Sequence, residues 1–156
     1  MMRDKRFIAV HRGGSLKIKQ HIQLINWACN CVENVLPLLS EKPDERLKNA
    51  LSIAKEWATG KASTGNARKA SLNAIGVANE SSNSIAIAVA RAAGHAVATA
   101  HMADHSLSAA LYSLKAVKNA GKSVDEEREW QNKQLPSEIM DLIISTRINK
   151  EKILKL

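Results

Sequence analysis

Apolar residues recur at steps of three and four along most of the chain. Ile18, Ile22, Ile25, Cys29, Val32 and Leu36 form one stripe, and His21, Leu24, Ala28, Cys31 and Val35 run beside it. This is the period of an amphipathic helix. Lys19, Gln23, Asn26 and Asn30 take the opposite, wet face. So broad an apolar arc predicts a helix over 16–36 that touches at least two neighbours. Pro37 and Pro43 bracket the first break. Pro43 suits the first turn of a second helix, whose N-terminal dipole Asp44 and Glu45 complement. That helix carries Leu47, Leu51, Ala54 and Ala58 and stops at Gly60, a residue suited to a left-handed C-terminal cap.

Gly65 is expected to open a third helix, and Ser81 to Ser84 to form a turn. An alanine-rich central helix follows over Ile85 to Ala103, alanine being the best helix former. Asp104 or Ser106 starts a further helix, or the central one continues; spacing leaves both open. Gly121 ends that segment. Ser123 and Glu126 stand at capping-box spacing before the short charged stretch DEEREWQNKQ, which Pro136 closes. A last amphipathic helix runs from Ser137 to Ile148 through Ile139, Leu142, Ile143 and Thr146. The pattern therefore predicts an all-α fold, a compact bundle of six to seven helices with an alanine-rich central helix. A single helical domain over 16–148 is expected, between a basic N-terminal arm at 1–15 and a basic C-terminal tail at 149–156.

Composition fits this reading. With 156 residues, 45% of them hydrophobic and 24% charged, the chain is globular and large enough for a core without disulfide staples. Aromatic residues make up only 3%, so small aliphatic side chains fill the interior. The net charge is +8, with +5 in residues 1–20 and +3 in residues 145–156, which leaves the body between them neutral. Basic ends on a neutral body argue for a polyanion site less strongly than a basic face would. Cys29 and Cys31 point about 200° apart on a helix, so they neither bond to each other nor share one ion. Only four apolar residues, Phe7 to Val10, follow the first charges, too few for a signal-peptide core. The longest apolar run, Ile85 to Val97, is interrupted by Arg91 and His95, so no transmembrane span is expected. A cytoplasmic protein with no membrane partner is the expectation.

The chemistry is concentrated between Ala90 and Tyr112. Arg91, His95, His101, Asp104 and His105 all lie there, including three of the five histidines. Buried polar groups must be bonded or paired, so the cluster is either a structural network or a site. His101 and His105 are four apart with Asp104 beside them, a weak candidate metal set. Met102 follows His101, so the HExxH pattern is absent. On a straight helix His95 lies about 120° from His101 and about 80° from His105, and joins them only through a bend. A further ligand, such as His21, would have to come from elsewhere. No nucleophile elbow accompanies these groups, and Lys61 precedes Gly65 rather than following it, against a phosphate-binding loop. Hydrogen-bonded core and cap histidines are the preferred reading, and a His/Asp metal-dependent enzyme is the least favoured. Arg46, Arg68, Arg91 and Arg128 are expected to join acids such as Glu33, Asp44, Glu56 and Asp104 in an internal ion-pair network. Trp27, Trp57 and Trp130 read as core or groove anchors, since none sits inside a basic run.

The blocks WACNCVENVLPLL (Trp27 to Leu39), AKEWATG (Ala54 to Gly60), NARKA (Asn66 to Ala70), ARAAGHAVATAHMADH (Ala90 to His105) and EREWQNKQLP (Glu127 to Pro136) follow in this order. Together they resemble the bacterial putative immunity proteins of polymorphic toxin systems, a helical class. The resemblance covers about residues 14–136. It implies an antitoxin-like role, in which a small cytoplasmic protein binds and neutralises a cognate toxin without catalysis and without a cofactor. Arg91, His95, His101, Asp104, His105, Trp130 and Gln131 fall on the matching motifs, with contact to the toxin and support of the fold both open for each. Asn30 and the Ile75-Gly76 pair depart from the family pattern, where an acid and more alanine are expected.

Charge bears on the partner. A nuclease carries a positive cleft for its polyanionic substrate, and a +8 chain is repelled by such a cleft. The toxin is then not a nuclease, or is held away from its active site. A helical nucleic-acid or polyanion binder acting through the basic termini is the alternative. Self-association through the small residues of the central helix is a further expectation.

Overall fold

The computed structural model describes residues 3–156. Among these it contains seven α-helices and no strand: α1 (Ile18–Val35), α2 (Glu45–Ala58), α3 (Thr64–Glu80), α4 (Ser84–Ala98), α5 (His105–Asn119), α6 (Val124–Lys133) and α7 (Ser137–Leu154). The predicted all-α bundle is what forms.

The wide apolar arc of α1 divides between two cores. Ile25, Ala28, Cys29, Val32 and Val35 join the alanines of α2, α3, α4 and α5. Leu24, Trp27 and Cys31 face a second core with Phe7, Leu107, Leu111, Leu114, Ile139 and Ile143, drawn from the arm, α5 and α7. The second stripe is thus split, Ala28 and Val35 joining the first stripe in one core while Leu24 and Cys31 turn with Trp27 to the other. Ile18, at the start of the first stripe, is instead 67% exposed. The small residues of α4, from Ala88 through Ala98, are buried within this chain, where small side chains let neighbouring helices approach closely. At Gly94 a Cβ would stand 2.8 Å from Ile75 Cδ1 of α3.

Helix ends follow local chemistry. Asp44 accepts the Arg46 amide and caps α2, which places Pro43 before the cap rather than in the first turn. Ser63 and Asn66 form a reciprocal capping box, so α3 starts at Thr64 with Gly65 inside its first turn. Gly60 and Gly121 adopt positive φ just beyond α2 and α5, and Ser123 caps α6 through the Glu126 amide.

Three boundaries depart from the sequence expectation. The central helix ends at Ala98 instead of Ala103. The last helix runs on past Ile148 to Leu154. Residues 5–7 and 10–12 form two short 3-10 turns, and the arm hooks back so that Ala9 bridges Leu16. Phe7 anchors this hook in the second core.

Arg147 explains the longer helix. Read as part of a basic end, it is 2% exposed. Its guanidinium donates to Glu151 Oε2 at 2.7 Å, to Gln131 Oε1 at 2.7 Å and to Asn132 Oδ1. Arg128 of α6 donates to the other oxygen of Glu151. Two guanidiniums thus share one buried carboxylate and lock α7 onto α6.

Candidate functional site

The break between α4 and α5 builds the site. Thr99 ends α4: its hydroxyl bonds back to the His95 carbonyl at 3.1 Å, an interaction that competes with helix continuation. The His21 Nε2–H from α1 donates to the Thr99 carbonyl at 2.6 Å. The amides of Ala100 and His101 then reach only three residues back, to Val97 and Ala98, the tighter winding of a 3-10 turn. The chain reverses through residues 99–104, and α5 returns alongside α4. This is the bend that a straight helix lacks.

His95 and His105 consequently meet, with their Nδ1 atoms 2.8 Å apart. One imidazole donates its Nδ1–H to the lone pair of the other, so the pair is satisfied with a single proton in the bridge. His95 stacks on Tyr112 with ring centroids 5.3 Å apart and planes 7° apart. The Arg91 guanidinium lies over the Tyr112 ring, 5.9 Å from its centroid, a cation–π contact. The His101 ring stands 5.4 Å from that of His105, and its Nδ1 is buried without a hydrogen-bond partner among the described residues. Asp104 turns away to pair with Arg3 of the arm at 3.2 Å.

Burial, reinforced by His105 and Arg91, pushes His95 down to about 4. Burial also lowers His101, His105 and His21 from the ordinary histidine value. These imidazoles are therefore neutral near pH 7. Burial raises the Cys29 thiol to about 12 and pushes Cys31 up as well, which keeps both in the unreactive thiol form. Among the described residues no three His, Cys, Asp or Glu side chains group closely enough to hold a metal ion, the His101, Asp104 and His105 set included.

Three concave regions converge on this cluster. A cavity of about 440 Å³ lies against α3 and is lined by Arg68, Leu72, Ile75 and the three histidines. A groove of about 430 Å³ runs between the arm, the start of α1 and the end of α2, with His101 in its wall. A third of about 620 Å³, between the arm, α5 and α7, has His95, Asp104 and His105 on one side. Arg91, His95, His101, Asp104 and His105 are thus gathered around one corner of the bundle. Trp130 and Gln131 lie elsewhere, on α6. The Gln131 side chain is fully buried, donating to the Ala110 carbonyl at 3.0 Å and accepting from Arg147, while its backbone carbonyl accepts the Trp27 indole N–H at 2.9 Å.

Sequence spacing alone does not bring in Tyr112, Arg3, His21 or Trp57, because each arrives through tertiary packing. The expected ion-pair network forms in part. Arg46 joins Asp44 and Glu80, and Lys55 joins Glu33, while Arg68 and Arg91 make no ion pair among the described residues.

A family model described as Imm-5 like putative immunity protein matches residues 14–138. That span holds α1 through α6 and every histidine of the cluster. No curated protein and no solved structure matches the chain.

Proposed function

Because the chain belongs to the family of Imm-5 like putative immunity proteins, we propose that it binds and neutralises a cognate toxin in the cytoplasm, by occlusion and without catalysis. The match over residues 14–138 carries this reading. The chemistry of the corner agrees with it. The corner histidines are neutral, with His95 and His105 bonded to each other and His21 to backbone, and both thiols are buried in their protonated form. Among the described residues no helix is long and apolar enough to cross a membrane. Arg91, His95, His101, Asp104 and His105 are proposed to shape or flank the toxin-facing surface, and Trp130 and Gln131 to act through the fold of α6. The positive net charge favours a toxin that is not a nuclease, or one gripped away from its active cleft.

The test is purification of the intact protein from its native host after nuclease treatment, followed by co-expression of any partner found. One stoichiometric protein whose toxicity is relieved by co-expression is the expected result. Association that disappears on nuclease treatment, with no protein partner, would instead establish the polyanion-binding reading.

A further inference from the structure

We propose that the groove between the N-terminal arm and α1 is a docking surface for an acidic polypeptide segment that also carries an apolar anchor. The immunity reading enters only in naming that segment as part of the toxin. The charge of the groove is the first argument. Arg3, His11, Arg12 and Lys17 line it, and no aspartate or glutamate does. Arg3 already spends its guanidinium on Asp104, whereas Arg12 and Lys17 make no ion pair among the described residues. Several cations elsewhere are answered by acids: Arg6 by Asp4, Lys19 by Glu138, and Arg128 and Arg147 by Glu151. Others, such as Lys122, Lys152 and Lys155, make no ion pair among the described residues but line no part of this groove. Arg12 and Lys17 thus stand uncompensated in a concave surface without an acid in its lining, whereas the concave regions that hold Lys42 and Lys150 also hold acids.

The second argument is apolar. Val10 and Ile18, both in the lining of the groove, are 57% and 67% exposed, and Phe7, Leu16 and Trp57 line it with them. Large exposed aliphatic side chains beside unpaired cations suit a segment that offers both a carboxylate and an apolar side chain. They suit a phosphate backbone poorly. Nor is there a free stacking platform for bases, since the Trp57 ring packs against His21 at 4.7 Å.

The third argument is that the surface is already formed. The Val10 amide donates to the Leu16 carbonyl at 3.0 Å, and the Leu16 amide to the Ile8 carbonyl at 2.9 Å. Gly14 passes so close that a Cβ would overlap the Ile8 carbonyl. A wall held by backbone bonds costs little ordering on binding. Through His101 the groove continues into the cavity against α3, where Arg68 is again an unanswered cation beside Leu72, itself 73% exposed. The same pairing of cation and aliphatic side chain thus recurs in two concave regions that share His101.

The test uses the full chain against a displayed library of random dodecamer peptides at physiological salt. Enrichment of peptides with two or more acidic residues next to an apolar one is expected. Arg12→Glu with Lys17→Glu should weaken the selected peptides about tenfold or more. The control Lys42→Glu with Lys122→Glu, which changes net charge equally at distant exposed sites, should leave them unchanged. Arg12→Glu alone, in an exposed turn, serves if the double variant melts early. No enrichment, enrichment without acids, equal weakening by the control, or a 20-nucleotide single strand that binds more tightly and competes at the groove would each overturn the proposal. In the host assay, a folded Arg12→Glu, Lys17→Glu variant that protects as well as the parent overturns this surface and leaves the immunity reading standing. A parent that protects against nothing, with the peptide result as expected, removes the immunity reading and leaves the groove.

Discussion

His95 is where residue chemistry has the widest consequences. Its Nδ1 is bonded to His105, its face is stacked on Tyr112, and burial holds its pKa near 4 against an ordinary value of 6.5. Between those values the unfolded chain takes up a proton that the folded chain refuses. Stability is therefore full above about pH 6.5 and falls as the pH drops toward about 4, with roughly 2–3 kcal/mol attributable to His95. His21, His101 and His105, all shifted the same way, steepen the loss. Urea unfolding at pH 7 and pH 5 measures it, and an identical midpoint at both would contradict the assignment. The His95→Ala variant should melt lower than His11→Ala, because His11 is exposed in the arm and His95 bridges two helices. The periodicity predicts that several polar groups share one helical stretch. It does not predict that His95 and His105 touch, because that depends on a reversal at Thr99 imposed by His21 from another helix.

At the scale of the elements, the arm and α7 show how termini are drawn into the fold. The arm is secured by backbone bonds and by Phe7, and its tight passage requires glycine at position 14. Gly14→Ala should cost on the order of 1–3 kcal/mol and expose the arm to trypsin at Arg6 and Arg12, seen as faster cleavage of the native protein. The helices themselves were largely legible. Apolar spacing and capping signals located six or seven helices and left the division of α4 from α5 open, and Ser63, Asn83 and Ser123 cap theirs as Ser and Asn do. The ends of α4 and α7 were not legible, because neither is set by propensity. One is cut short by a hydrogen bond from α1, and the other is extended by a buried ion network with α6.

Across the whole molecule, that network joins the C-terminal helix to the body. Glu151 is the single carboxylate between Arg128 and Arg147, so Glu151→Ala leaves a buried guanidinium unpaired and should destabilise by about 3–5 kcal/mol. Thermal unfolding checks it, and a change below about 1 kcal/mol would place the two arginines in better contact with water than their burial indicates. The same pairing redistributes the charge of the surface. A sequence with +5 at one end and +3 at the other suggests two basic tails. In the folded protein Arg147 is buried beside Glu151, Arg6 and Lys19 face acids, and Arg12, Lys17 and Arg68 stay uncompensated in concave surface that no acid lines. The sequence by itself determined the helical class, the apolar faces, most caps and the family, because these follow from local periodicity and from short ordered blocks. Only the tertiary structure decided which histidines meet, which charges cancel and where the concave surface lies. The histidine pairing and the concave surface depend on contacts between residues far apart in the chain, and the charge balance adds such contacts (Lys19 with Glu138, Arg128 with Glu151) to local pairs, which no local pattern encodes.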